Sequence, residues 1–412
     1  MIDHIFVCNF INQEKIEKVL QEKIKAKSKE IWTHVIQNRR HLHQHPELSF
    51  QEFQTSAYIK ARLNEMGVSW QAMANTGIVA ILSGDKPSDR IIALRADIDA
   101  LPIVETNDLP YKSESEGVMH ACGHDAHTAS LLGVIEILQS IKADFGGTIK
   151  FIFQPGEEKL PGGASIMINE GVLDNPKPEF VIGQHVMPSL PCGKIATRKG
   201  KFMASMDEIL MTVKGKGGHG AQPHMLIDPV LIASHIIVSL QQVVSRMVDP
   251  TEPSVLSFGK VIANGAINVI PDEVYMEGTF RAMNESWRTF SLDKIEFMAK
   301  SIAESMGGTC EVKITRGYPC LFNAEDLTGR VMEIAQSYLG TDQVLEQDMW
   351  MAAEDFAYYS QNADACFYLL GVGNVDKGIQ SGLHTPDFKI DEDALIHSTG
   401  LMAYVAVKIL GN

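Results

Sequence analysis

Short apolar runs alternate with helix-periodic segments as far as about Lys201, where the rhythm breaks. "GIVAILSG", "RIIALRADIDALP", "GTIKFIFQP" and "FVIGQHV" read as strands, and "DAHTASLLGVIEILQSI" reads as a helix between them. Strands separated by helices predict a helix-flanked, mostly parallel sheet. Beyond Lys201 the order becomes strand, helix, two strands, helix, strand, from "MDEILMTVKG" to "CEVKITRGYP". That βαββαβ order is a small two-layer α+β unit. From about Asn323 the first rhythm returns, with "ACFYLLGVG" as a buried strand. The expected architecture is therefore an α/β domain formed by residues 1–201 and 319–412, interrupted by an α+β domain at 202–318.

Length supports this division: 412 residues suit two domains better than one. Before the first strands, residues 12–44 are charged and helix-periodic. "SFQEFQTSAYIKARLNEMG" then predicts a helix capped by Ser49, with Glu52 three residues on and Gly67 ending it. A formal net charge of -15 argues against nucleic acid or an anionic membrane as the main partner. The six cysteines are scattered without a CxxC pair, so a reducing compartment, the cytoplasm, is expected. "MIDHIFVCNFINQEK" lacks a basic n-region and a small-residue cleavage site, and reads as an untidy terminus rather than a signal peptide. No apolar run reads as long enough to span a membrane.

Four stretches place metal-ligating side chains where strands give way to loops, or in turns. "HACGHDAH" offers Cys122 and His124 just before a helix, "FQPGEEKLPGGA" offers Glu157 and Glu158, "GQHVMP" offers His185, and "SGLHTPDF" offers His384. Taken singly, a strand-end histidine is usually structural and a glutamate pair usually a solvated face. Together they supply one thiolate, three imidazoles, one carboxylate and a spare glutamate. That set suits two borderline-soft divalent ions sharing a water, with the extra glutamate as base. A Cys122–His124 nucleophile pair is the competing reading. Residues so close in sequence rarely reach a productive thiolate–imidazole geometry, and the pair leaves the other groups unexplained.

These motifs, in order with "RRHLHQHPELSF", "ALRADIDALP", "KGKGGHGAQPH", "INVIPDEV", "GTFRA" and "EDFAYY", cover nearly the whole chain. The chain resembles the amidohydrolase branch of the aminoacylase and carboxypeptidase-like metallopeptidases, which includes hippurate hydrolase, N-acetyl-diaminopimelate deacetylase and the auxin-conjugate hydrolases. Many members of that branch have Ala at Gly156 and Gly or Ser at Ala353; neither departure removes a functional group.

The resemblance implies two divalent metal ions per subunit (zinc, manganese, nickel or cobalt), held by Cys122, His124, Glu158, His185 and His384, with Glu157 as general base. Asp99 corresponds to a carboxylate that orients a ligand imidazole. Asp97, Glu354 and Asp355 are further outer carboxylates. The inserted domain becomes a lid that also makes a homodimer. From it His219 would reach the partner's site to stabilise an oxyanion, and Asn268 and Arg281 would grip a substrate carboxylate. His224 is expected to be structural. The implied reaction is hydrolysis of the amide bond of an N-acyl amino acid. The alternatives are a carboxypeptidase or dipeptidase on the same scaffold, or a binding protein that has lost the chemistry.

Overall fold

The computed structural model describes residues 2–411, with the side chains of Lys15 and of residues 17 onward. Three helices open the chain, α1 (Ile2–Glu30), α2 (Trp32–Gln44) and α3 (Phe53–Glu65). The segment read as an untidy terminus runs into the start of α1, although its side chains before Lys15, Cys8 included, lie outside the described residues. Next come β1 (Ser69–Met73), β2 (Gly77–Ser83), β3 (Lys86–Asp97), α4 (His124–Ser140), β4 (Gly146–Gln154), α5 (Gly163–Asn169), β5 (Phe180–Pro191), β6 (Ile195–Thr197) and β7 (Gly200–Met203). The middle of the chain forms β8 (Asp207–Lys214), β9 (Gly218–His219), α6 (Pro229–Gln242), β10 (Ser254–Ile262), β11 (Val269–Ile270), β12 (Glu273–Ala282), α7 (Glu285–Ser305) and β13 (Thr309–Arg316). The chain ends through β14 (Leu321–Asn323), α8 (Glu325–Leu339), β15 (Val344–Glu346), α9 (Ala357–Asn362), β16 (Asp364–Gly373) and α10 (Ala394–Ile409).

These elements divide into two compact units. The first contains the residues up to Gly200, Phe322–Asp348 and those from Tyr358 on. The second contains Lys201–Leu321 and also Met349–Ala357.

The first unit is built on an eight-stranded sheet in the order β1-β2-β4-β3-β5-β16-β6-β15. Its centre is parallel: β3 pairs with β4 and β5, and β5 pairs with β16. β1 and β2 are antiparallel additions at one edge. A parallel strand covered by helices on both faces must be apolar on both, which is why β16 reads as a continuous apolar run. α4 is buried along almost its whole length, and α2 and α10 pack against it.

The helix at Ser49–Gly67 forms as α3, but its cap differs from the expected one. Glu47 accepts the Gln54 and Thr55 N–H groups (3.1 and 2.8 Å). Ser49 instead donates its hydroxyl to Asp99 (2.7 Å). Gly67 ends the helix as expected, with φ at 66° and its N–H bonded to the Asn64 carbonyl (3.0 Å).

The second unit has the four-stranded order β10-β12-β8-β13, every neighbour antiparallel, with α6 and α7 packed on it. β9 and β11 form a separate two-stranded ribbon. One sequence expectation is corrected here. Pro229–Met247 is a 19-residue helical run long and apolar enough to cross a membrane by length and composition. Its residues Ile232, Ala233, Ile236 and Leu240 are buried in the core of this unit.

Candidate metal centre

The site forms where parallel strands of the first unit end. β3 delivers Asp97 and, two residues on, Asp99; β4 delivers Pro155, Gly156, Glu157 and Glu158; β5 carries His185. α4 begins at His124, straight after Cys122 and Gly123. Gly123 has φ at 85°, and a Cβ there would lie 2.4 Å from Val186 Cγ2, so the turn needs glycine. Gly156, with φ at 58°, would place a Cβ 2.3 Å from the Phe50 ring. The departure at this position is thus matched to Phe50.

Ligand atoms of three overlapping groups come within 4.8 Å of one another: Cys122, His124 and His185; Cys122, Glu158 and His384; and His124, Glu157 and Glu158. The structure therefore brings together all six side chains singled out in the four stretches. Cys122 Sγ lies 3.3 Å from both His185 Nε2 and His384 Nε2. His384 Nε2 is 3.2 Å from Glu158 Oε1.

Two of the imidazoles are oriented by their other nitrogen. His124 Nδ1–H donates to the Asp99 carbonyl and Oδ1 (3.0 and 3.2 Å), which turns Nε2 towards the pocket. His185 Nδ1–H donates to the Val186 carbonyl (2.7 Å), so its Nε2 is free of a proton. Asp99 Oδ2 accepts the Glu158 N–H (3.0 Å), so one buried carboxylate braces both His124 and Glu158.

Sequence reasoning missed the role of His127. Its Nδ1–H donates to Asp97 (2.6 Å) and its Nε2 accepts the Val186 N–H (2.8 Å). With both nitrogens engaged it braces β5 next to His185. The available signal was spacing: His124 and His127 are three apart and share a helix face. Asp97, read as an outer carboxylate, also binds Arg95 (2.6 Å). His120, the first histidine of the stretch, is buried and pushed down to about 4 by that burial, so it is neutral at pH 7.

The electrostatics of the pocket suit a cation. Burial, reinforced by Glu158 and Glu157, pushes the Cys122 thiol well above its ordinary value. Burial disfavours the charge on His124, yet Asp97, Asp99 and Glu158 outweigh it and lift the group to about 10. Burial and His127 hold His185 well below the usual histidine value. His124 Nε2 and Glu158 Oε1 are buried without a hydrogen-bond partner. Leaving such atoms unmatched costs about 1–3 kcal/mol each. Cations would satisfy those atoms and favour the thiolate. A donor set of sulfur, imidazole and carboxylate fits divalent ions of the zinc type.

The second unit holds the remaining predicted residues. His219 and Asn268 come together on the β9–β11 ribbon, where the Gly220 N–H bonds the Asn268 carbonyl (2.8 Å). Both side chains belong to exposed residues. His219 Nδ1 accepts the Ala221 N–H (3.1 Å), which leaves the proton on Nε2 as an outward donor. Arg281, on β12, is half-buried and donates to the Met351 carbonyl (3.4 Å). Glu354 and Asp355 are buried in this unit's Met349–Ala357 segment, where Glu354 accepts the Phe356 N–H (3.1 Å). His224 is exposed.

Comparison with known proteins agrees with this geometry. Residues 93–408 match the model of peptidase family M20/M25/M40. The chain is 43% identical over 307 residues to an N-acyl-L-amino acid amidohydrolase of Geobacillus stearothermophilus, covering 74% of this chain and 82% of that protein. It is 39% identical over 393 residues to thermostable carboxypeptidase 2 of Saccharolobus solfataricus, covering 94% and 98%. Among solved structures, the YXEP protein of Bacillus subtilis, described as a dinuclear metal binding peptidase from the M20 family, superposes with a TM-score of 0.80 at 35% identity, covering 93% of this chain and 99% of that one.

Proposed function

We propose a hydrolytic function from one premise: the chain belongs to peptidase family M20/M25/M40. It hydrolyses the amide bond of N-acyl amino acids in a metal-dependent reaction. The observation that carries this reading is the convergence of Cys122, His124, Glu157, Glu158, His185 and His384 around the bare, buried His124 Nε2 and Glu158 Oε1. Similarity to a protein named for N-acyl-L-amino acid hydrolysis supplies the substrate class.

In this reading Cys122, His124, Glu158, His185 and His384 hold two divalent ions: zinc, manganese, nickel or cobalt. Ions bound there would supply Lewis acidity towards a carbonyl and a water. Asp99 keeps the proton of His124 on Nδ1, away from the pocket. Glu157 is buried among the ligand groups, with its carboxylate within 4.8 Å of His124 and Glu158 ligand atoms, where it can serve as the base. It takes a proton from the attacking water and delivers it to the leaving amine. His219 donates its Nε2–H to the developing oxyanion from the partner subunit. Asn268 and Arg281 bind the substrate's free carboxylate, for which a guanidinium fork is suited.

The surface of the second unit supports a homodimer formed through it. Val230, Leu231 and Val238 on α6 are exposed, as are Val255, Val261 and Ile262 on the edge strand β10. An apolar helix face beside an open strand edge is a surface that a second copy can cover. The cytoplasm is the compartment proposed, in keeping with the free thiols of Cys122, Cys192, Cys310, Cys320 and Cys366.

A carboxypeptidase is the second reading, favoured by the 39% identity to a protein of that name. A panel of N-acetyl, N-benzoyl and N-indoleacetyl amino acids beside N-blocked and free dipeptides, with each metal added in turn, decides between them. Faster turnover of acyl amino acids supports the first reading, and faster turnover of peptides the second. No turnover of either class with any metal overturns both.

A further inference from the structure

His384 differs from the other five groups of the centre. It stands on an irregular turn after β16, its side chain is 52% exposed, and its φ of 60° is left-handed for a residue with a Cβ. Such a conformation persists only where its surroundings enforce it. We propose that Asn107 is a positioning residue for His384, and that Glu105 and His43 anchor it. The inference rests on His384 being a metal ligand, as read above.

The link runs through the irregular connection between β3 and α4. Over residues 104–108, Glu105 and Asn107 are buried while Val104, Thr106 and Asp108 are exposed, so the segment lies extended with alternate side chains inward. It straps the turn at two points. The Thr106 N–H donates to the Pro386 carbonyl (2.8 Å), and Asn107 Nδ2 donates to the Phe388 carbonyl (2.9 Å). At the near end of the turn, the His384 N–H donates to the Ala121 carbonyl, one residue before Cys122 (2.9 Å).

Asn107 is itself fixed. Its Nδ2 also donates to Glu105 Oε1 (3.0 Å), and Glu105 Oε2 accepts the Ser113 N–H (2.7 Å). His43 Nε2 lies 3.2 Å from Glu105 Oε1, and its Nδ1 lies 2.8 Å from Asp125 Oδ2, which Arg39 also binds (2.7 Å). Asp125 immediately follows His124. One buried run of hydrogen bonds thus leads from the helix carrying His124 to the turn carrying His384. Asn107 is the last side chain in it. It is not among the side chains brought together at the metal centre, so it acts by holding the turn.

The test is a Zn²⁺ titration of the metal-free full-length protein, resolved into its two binding steps, on wild type, His384→Ala, Asn107→Ala and the double variant. Asn107→Ala should weaken one step by about 10–100-fold, the usual effect of losing an outer partner of a ligand. That step should be the one His384→Ala removes, and the double variant should match His384→Ala alone, because both changes act through one side chain. Hydrogen exchange of the metal-free protein should show the His384 and Phe388 amides exchanging about tenfold faster in Asn107→Ala. Asn107→Asp, which keeps the shape and loses the donor, should do the same and serves if Asn107→Ala fails to fold. If His384→Ala binds both ions as wild type does, the ligand reading fails. If His384→Ala loses a step while the Asn107 variants bind like wild type, or weaken both steps equally, the positioning role is overturned.

Discussion

The two units bury polar groups in opposite ways. In the first, Arg39, His43, Arg95, Asp97, Asp99, His124, Asp125, His127, Glu157 and His185 are all buried, most of them bonded to one another. In the second, Ile209, Met211, Ile232, Ile236, Met276, Phe280 and Ile295 make an apolar core. The pair Asp207–Arg288 is buried beneath it, with two hydrogen bonds of 2.8 and 2.6 Å. Buried charge is tolerated only where it is paired, and the second unit pairs Arg288 completely. In the first, hydrogen bonds fix the far sides of His124 and His185 and leave His124 Nε2 bare on the near side. Such an interior is incomplete without cations. The second unit has an apolar core with its buried Arg288 paired, and carries His219 and Asn268 on its surface.

The largest effect that could break this contrast is at Glu157. Glu157→Gln keeps shape and burial and removes the base, so kcat should fall by about 10²–10⁴-fold with both metals retained. Its neighbour should behave differently. Glu158→Gln should lose metal before activity is measured, since Glu158 Oε1 is the bare oxygen facing His384 and His124. Metal analysis beside kinetics checks this. Equal loss of activity with full metal in both variants would mean that the two carboxylates do not have separate roles.

The counterpart in the second unit is thermodynamic. Asp207→Asn leaves the buried Arg288 with the part-exposed Glu285 as its remaining anion (3.1 Å), and breaking a buried pair typically costs about 3–5 kcal/mol. Hydrogen exchange resolved by segment should show the loss in β8, β13 and α7, with metal content unchanged. A drop in metal affinity of the same size would mean that the apolar unit and the metal-binding unit do not stand apart energetically.

His219 sharpens the comparison, because it would give the second unit a catalytic part without a buried one. His219→Ala should lower kcat by about 10²–10³-fold, more than it weakens substrate binding, and leave metal content intact. Mixing His219→Ala with Glu157→Gln under subunit exchange should restore activity to at most about half of wild type per heterodimer, since only one of two symmetric sites regains both groups. Verified heterodimers without activity would place His219 in its own subunit's chemistry or outside catalysis.

What was legible in the sequence follows the same division. Periodicity exposed the parallel core and the βαββαβ order, because each depends on which faces are apolar. The six side chains of the centre stood out because strand ends concentrate them. Of the hydrogen bonds that orient them, the one to Asp99 follows from the family resemblance, and the others do not. Ser49 has the sequence context of a cap, yet tertiary contact gives its hydroxyl to Asp99 and leaves capping to Glu47. Glu105 and Asn107 lie in a stretch without periodicity, and their partners are far away in the chain. The Met349–Ala357 segment joins the second unit through contacts such as Ala204 N–H to the Trp350 carbonyl (3.1 Å), which no local pattern announces.

The smallest expected effect compares two helix starts. α6 begins at an Asp228 whose carboxylate accepts the Val230 and Leu231 N–H groups (2.8 and 3.1 Å). α4 begins at Gly123 without a side-chain cap, and its first turn presents His124 and Asp125. A helix start used for binding has given its capping position to a tight approach, whereas one used for support keeps its cap. Gly123→Ala should therefore cost metal, because a Cβ would collide with Val186 beside His185. Asp228→Ala should cost about 1 kcal/mol of stability in the second unit alone, the usual value of an N-cap. Denaturant unfolding with and without saturating metal checks both: the Asp228→Ala deficit should be the same in the two conditions, and the Gly123→Ala deficit should grow when metal is added. A metal-dependent deficit in Asp228→Ala would show that α6 and its unit take part in holding the ions, and the contrast between the two interiors would no longer stand.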